Sequence, residues 1–103
     1  MFESEQGDAF DLYAKTGAAA NAFTSYDRTC YIFTATGMTD ENLDILLNMV
    51  GHPWFTKETI AKEQGIIGQE IKMYDDSPDW RLLTALFRCQ YKSHPIRDDI
   101  AGT

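Results

Sequence analysis

Thr56–Asp75, TKETIAKEQGIIGQEIKMYD, is the stretch whose reading decides the fold. At about 100° per residue a helix places Ile60, Ile67, Ile71 and Tyr74 on one stripe, with Ile66 and Met73 about 100° to one side. Glu63 and Glu70, seven residues apart, fall between them. The opposite face collects Glu58, Ala61, Lys62, Gln64, Gly65, Gly68, Gln69 and Lys72, polar or small throughout. Two carboxylates are therefore expected where the helix buries its apolar side chains. An ionised carboxylate buried without a partner costs several kcal/mol, so such a group is normally protonated, ion-paired or bound to a cation. The spacing alone leaves two readings open: pairing with Arg or Lys in or beside the core, and a metal-binding or catalytic role.

Working outward, Thr56 is placed to cap this helix, with Glu58 in its first turn and Phe55 positioned to staple against Ile60. Gly65 and Gly68 each cost about 1 kcal/mol against Ala in a helix interior. Lying away from the glutamates, they could let another backbone approach closely. Downstream, Ser77-Pro78-Asp79 reads as a cap, a first-position proline and a first-turn acid. It opens a helix through Trp80, Leu83, Leu86, Phe87 and Tyr91 that His94-Pro95 closes. The tail after it, IRDDIAGT, has no strong pattern and no evident partner within the chain.

Upstream, Thr39 is expected to cap a helix whose Leu43, Leu46, Leu47 and Val50 follow the i, i+3, i+4, i+7 rule, ended by Gly51 with Pro53 beyond. TCYIFTAT, residues 29–36, is rich in β-branched and aromatic residues, apolar on both faces, and reads as a covered central strand. Ala19–Ser25 is its expected antiparallel neighbour. Phe10, Tyr13 and Ala14 behind Gly7-Asp8 give a first helix of about three turns, which Gly17 stops in a left-handed conformation.

The chain has 103 residues, and this length and the even patterning point to a single domain over 1–103. With 44% hydrophobic and 13% aromatic residues it is globular, so a net charge of -7 does not signal disorder. Only 9 Lys+Arg face 16 Asp+Glu, which excludes a basic nucleic-acid-binding face. No apolar run reaches transmembrane length and the acidic start, MFESEQGDAF, is unlike a signal peptide, so a cytoplasmic protein with no membrane partner is expected. Cys30 and Cys89 show no CxxC spacing and read as small core residues. His52 and His94 each precede a proline at a helix end and read as turn residues, while Asp75-Asp76 and Asp98-Asp99 read as solvated loop pairs. There is no GxSxG elbow and no Gly-rich phosphate loop.

Two segments together carry a resemblance. GAAANAFTSYDRTCY, residues 17–31, resembles the stretch located after the inverted zinc motif HxxEH in the insulinase/pitrilysin family of zinc metallopeptidases, which includes the mitochondrial processing peptidases. KEQGIIGQEI, residues 62–71, resembles that family's downstream helix, and Asp79-Trp80-Arg81 with His94-Pro95 resembles the family's next segment. The likeness runs almost end to end, in order and in register. It implies that Glu70, the second glutamate of the E-x6-E pair, is a zinc ligand, and that Glu63 supports the site from behind. It also implies that Asn21, Ala22, Phe23 and Thr24 form an exposed edge on which an extended peptide substrate adds itself as a strand.

HxxEH itself, which supplies two ligands and the water-activating glutamate, is absent from the 103 residues, and Met1-Phe2-Glu3 looks like the segment just past it. The resemblance thus implies an α+β piece of the insulinase-type catalytic domain, an antiparallel or mixed sheet with helices packed on one side. Its expected function is that of a fragment of a zinc-dependent endopeptidase, inactive alone, with Zn2+ bound weakly or not at all by this chain. The alternative is a non-catalytic insulinase-like subunit that acts as a peptide- or protein-interaction module. In either case a homo-oligomer or a homologous subunit is expected to cover Ile66, Ile67 and Met73.

Overall fold

The computed structural model describes residues 2–103, and among them it forms four α-helices and two small antiparallel sheets, an α+β architecture. The order is β1 (Glu3–Ser4), β2 (Gly7–Asp8), α1 (Ala9–Thr16), β3 (Ala19–Thr24), β4 (Thr29–Thr34), α2 (Thr39–Gly51), α3 (Lys57–Asp75) and α4 (Pro78–Gln90), then a 3-10 turn over Pro95–Arg97. The chain divides into two compact units. The first takes the residues up to Phe23 together with Thr29–Ile60, and the second takes Thr24–Arg28 with Ala61–Thr103.

In the first unit, β1 and β2 form a hairpin pairing Glu3 with Asp8 and Ser4 with Gly7, a turn that the sequence pattern did not announce. Gly7 sits at φ 109°, where a side chain would be strained. Asp8 then caps α1 by accepting the Phe10 N–H at 2.9 Å, and Gly17 closes it at φ 71° with its N–H turned back to Ala14 and Tyr13 carbonyls. At eight residues α1 is slightly shorter than the expected three turns. β3 pairs with β4 through the turn in which Ser25 N–H meets the Arg28 carbonyl at 2.8 Å.

The core of this unit is Phe2, Ala9, Tyr13 and Met49, with Ala18, Ala20, Ala22, Tyr31, Phe33, Ile45 and Leu46 packed around it. Phe2 tilts onto Phe10 at 4.3 Å and meets Tyr31 edge-on at 5.7 Å, while Tyr13 stacks on Phe33 at 6.0 Å. So α1 and α2 cover the face of the hairpin that carries Tyr31 and Phe33. The other face is open at Ile32, which corrects the reading of 29–36 as a strand covered on both sides. β4 ends at Thr34, and α2 packs on it.

The buried face of α2 also differs from expectation. Asn42, Ile45, Leu46 and Met49 point inward, whereas Leu43, Leu47 and Val50 are exposed. The inward stripe is rotated by one residue step, about 100°. Its cause is Asn42, 0% exposed: its Oδ1 accepts from the Thr16 hydroxyl and its Nδ2 donates to the Gly37 carbonyl at 3.2 Å. This side chain ties the end of α1 to the loop before α2, so the two ends of the β3–β4 hairpin are held by one buried amide. Thr39 is the first residue of α2 and does not cap it; the position before it is Met38 at φ 52°, with no side-chain cap.

In the second unit, Ser77 caps α4 by accepting the Trp80 N–H at 3.4 Å, with Pro78 in the first turn as the sequence indicates. The tail is anchored, contrary to expectation. Asp99 accepts the Trp80 indole N–H at 3.0 Å, and the Tyr26 hydroxyl lies 3.2 Å from the Ile96 carbonyl and 3.3 Å from that of Asp98. These partners are 19, 70 and 72 residues apart in the chain, beyond any local pattern.

Candidate functional site

The helix that carries the two glutamates starts on a reciprocal cap. Thr56 Oγ1 accepts the Thr59 N–H at 3.1 Å and Thr59 Oγ1 accepts the Thr56 N–H at 3.1 Å, a capping box with threonine in place of Glu or Gln. Phe55 takes no part: it is 78% exposed, so the expected staple against Ile60 is not made. From there α3 runs 19 residues without interruption, through both internal glycines. A Cβ built on Gly65 or Gly68 would meet nothing within 4 Å, so the close backbone approach expected at these positions is not present.

Glu63 and Glu70 lie on one side of α3, two turns and about 10 Å apart along the axis. Glu63 is half-buried and Glu70 is exposed. The expectation that both point into a buried apolar face is corrected: α3 buries no residue fully, and Ile66 is 48% and Met73 61% exposed. Only Ile71 and Tyr74 of its C-terminal half are substantially covered among the apolar side chains there. Tyr74 packs on Trp80, ring centroids 4.8 Å apart, and a Cβ on Gly102 would come within 3.8 Å of Ile71 Cδ1. Glu70, one helical turn before Tyr74, is thus presented to solvent, a carboxylate available to a ligand without prior desolvation.

Among the described residues no three of His, Cys, Asp or Glu converge as a metal-binding group. A zinc centre needs three or four protein donors, so the residues present fit part of such a centre and not the whole. His94 Nδ1 accepts the Ile96 N–H at 3.1 Å and starts the 3-10 turn, and His52 ends α2; each serves the turn that the sequence assigns it. A concavity of about 400 Å³ at the α3–α4 turn is lined by Asp75, Asp76, Pro78 and Arg81, and includes neither glutamate of the pair.

Of the four residues named for the substrate edge, Asn21, Phe23 and Thr24 are exposed and Ala22 is half-buried toward the core. The Asn21 side chain accepts the Ala22 N–H at 2.8 Å. Among the described residues β3 pairs with β4 only. What the sequence missed here is Asp99, Trp80 and Tyr26; the acceptors on the indole and phenol could not be inferred without long-range contacts.

The Insulinase (Peptidase family M16) model matches residues 3–103. A protein named uncharacterized zinc protease YmfH, from Bacillus subtilis, is 53% identical over all of this chain, which covers 24% of that relative. Another from the same organism, uncharacterized zinc protease YmxG, is 35% identical over 96% of the chain and 24% of the relative. An uncharacterized zinc protease of Rickettsia felis is 31% identical over 87% of the chain and 22% of the relative. The chain spans about a quarter of the length of the curated relatives it matches. It belongs to the insulinase family of peptidases.

Proposed function

We propose that this chain acts as the part of a zinc peptidase that presents one metal ligand and the substrate edge. Glu70 is the carboxylate ligand, Glu63 orients it from the preceding turns, and β3 from Asn21 to Thr24 takes an extended peptide as an added strand. The family match across residues 3–103, a range that includes both glutamates, is the observation that supports this reading. The exposure of Glu70 and of alternate residues on β3 supports it. Bound zinc supplies a Lewis acid that polarises the scissile carbonyl and lowers the pKa of a bound water. The chain's own residues hold and align: Glu70 as an anionic donor, the β3 backbone as a row of hydrogen-bonding groups that fixes the peptide's direction.

The test is to join the chain in one polypeptide to an HxxEH-bearing segment and to measure zinc content and peptide hydrolysis together. Glu70→Gln is expected to lose both. Glu63→Gln is expected to weaken them by roughly 10–100-fold, as removal of a supporting group does. The reverse order would overturn the assignment of roles.

A second reading, a peptide- or protein-interaction subunit without catalysis, is favoured by one observation. Ile66, Ile67 and Met73 on α3 are all exposed. Patches of this kind associate. On this reading the chain forms a homo-oligomer or docks a homologous subunit, and sedimentation that stays monomeric at high concentration would remove it.

A further inference from the structure

One tail contact of the second unit falls on Trp80, which packs on Tyr74, one helical turn after Glu70. Both oxygens of Asp99 are engaged, Oδ2 by the Trp80 indole N–H at 3.0 Å and Oδ1 by the Ala101 N–H at 2.9 Å. The tail is held again by the Tyr26 hydroxyl at the Ile96 and Asp98 carbonyls. Trp80, fixed at its nitrogen, lies with its ring 4.8 Å from that of Tyr74, tilted by 33°. Tyr74 comes one helical turn after Glu70, and helical side chains lean toward the N-terminus, so the Tyr74 side chain leans toward the turn that carries Glu70.

An exposed glutamate otherwise samples many rotamers, and ordering it on a ligand costs entropy. We propose that Asp99 is a positioning residue for Glu70: by fixing the Trp80 indole it holds the Tyr74 ring as a wall beside the Glu70 carboxylate. The consequence for metal affinity rests on the reading of Glu70 as a zinc ligand; the ordering of Glu70 does not. Asp99, Trp80 and Tyr74 act through Glu70. Their effect runs through one side chain's freedom.

The first measurement uses the chain itself, without metal. With glutamate side chains labelled with carbon-13, NMR relaxation is expected to show Glu70 more ordered than Glu58 in the first turn of α3. Asp99→Ala should bring Glu70 to the Glu58 level. Trp80→Phe, which keeps a ring on Tyr74 but removes the N–H, should do the same with the backbone spectrum of α4 unchanged. Asp99→Asn, which keeps an oxygen for the indole, should retain the order of Glu70. Glu70 as mobile as Glu58 in the unsubstituted chain, or unaltered by both Asp99→Ala and Trp80→Phe, overturns the proposal.

The second measurement is zinc affinity of the chain joined to an HxxEH-bearing segment, where Asp99→Ala and Trp80→Phe should each weaken binding by roughly 10-fold. Unchanged affinity in both variants, with Glu70→Ala abolishing binding, sinks the positioning role and leaves the ligand reading standing. Unchanged affinity in Glu70→Ala sinks the ligand reading, and the relaxation data then decide the positioning role alone.

Discussion

The two units of this chain are held together in different ways. The first closes a core: Phe2, Ala9, Tyr13, Asn42 and Met49, the most deeply buried of the described residues, all belong to it. The second contains no residue buried to that degree, and α4 buries none at all. There the fold is kept by single polar tethers from the tail to Trp80 and Tyr26 and by ring contacts. Apolar burial scales with area and tolerates rearrangement, whereas a tether depends on one donor and one acceptor. The unit that carries the glutamate pair is accordingly the one whose geometry single substitutions can loosen without unfolding the other.

The largest expected effect breaks the core of the first unit. Tyr13 is 1% exposed and stacks on Phe33, so Tyr13→Ala should cost about 3–5 kcal/mol and strip amide-exchange protection from α1 and α2. Leu82→Ala in α4, where the side chain is open to solvent, should stay within about 0.5 kcal/mol. Equal losses from the two substitutions would mean that the two units are held by the same kind of burial.

Next in size is the buried amide. Asn42→Ala leaves the Thr16 hydroxyl and the Gly37 carbonyl without that partner, a cost of about 1–3 kcal/mol. Because Asn42 joins the two ends of the β3–β4 hairpin, exchange should accelerate in the hairpin as well as in α2. Acceleration confined to α2 would show that the hairpin's ends are held by something else. Smaller still is the α4 cap: Ser77→Ala should cost about 1 kcal/mol and fray only the first turn, read as faster exchange at the Trp80 amide.

The same contrast explains what could be read from the sequence. Caps are local, so Gly17 and the Ser77-Pro78 start are visible without any tertiary information, and they fall where the structure has them. The inward face of α2 was legible only in part. Periodicity counts Asn42 as polar and therefore outward, and cannot see the two hydrogen bonds that make its burial tolerable. For the candidate site, the spacing of Glu63 and Glu70 on one side of a helix was legible and their environment was not. Whether an apolar stripe is covered depends on what lies against it, and along α3 Ile71 lies by the tail and Tyr74 by Trp80. Asp99 looked like one of two solvated loop acids because its indole partner lies 19 residues earlier.

The smallest expected effect sharpens the account of the first unit's core. The Tyr13 hydroxyl is buried and has no hydrogen-bond partner among the described residues, so Tyr13→Phe removes an unmet donor and keeps the ring. Stability at neutral pH should be unchanged or rise by up to about 1 kcal/mol. Burial raises the phenol's pKa above the ordinary 10.0, because the anion would lose hydration in the core. Below the unfolded phenol's pKa both states keep the proton, and Tyr13 gives no pH dependence. Above it the unfolded chain releases the proton while the folded chain still holds it, so folding stability falls as pH rises through the folded pKa. Tyr13→Phe lacks this loss, and urea unfolding of the two proteins should diverge only above about pH 10. The other tyrosines, Tyr26, Tyr31, Tyr74 and Tyr91, are common to both proteins and cancel in the difference. Parallel curves through the alkaline range would mean that the phenolate is as well solvated in the folded state as in the unfolded one, and that the core at Tyr13 admits water.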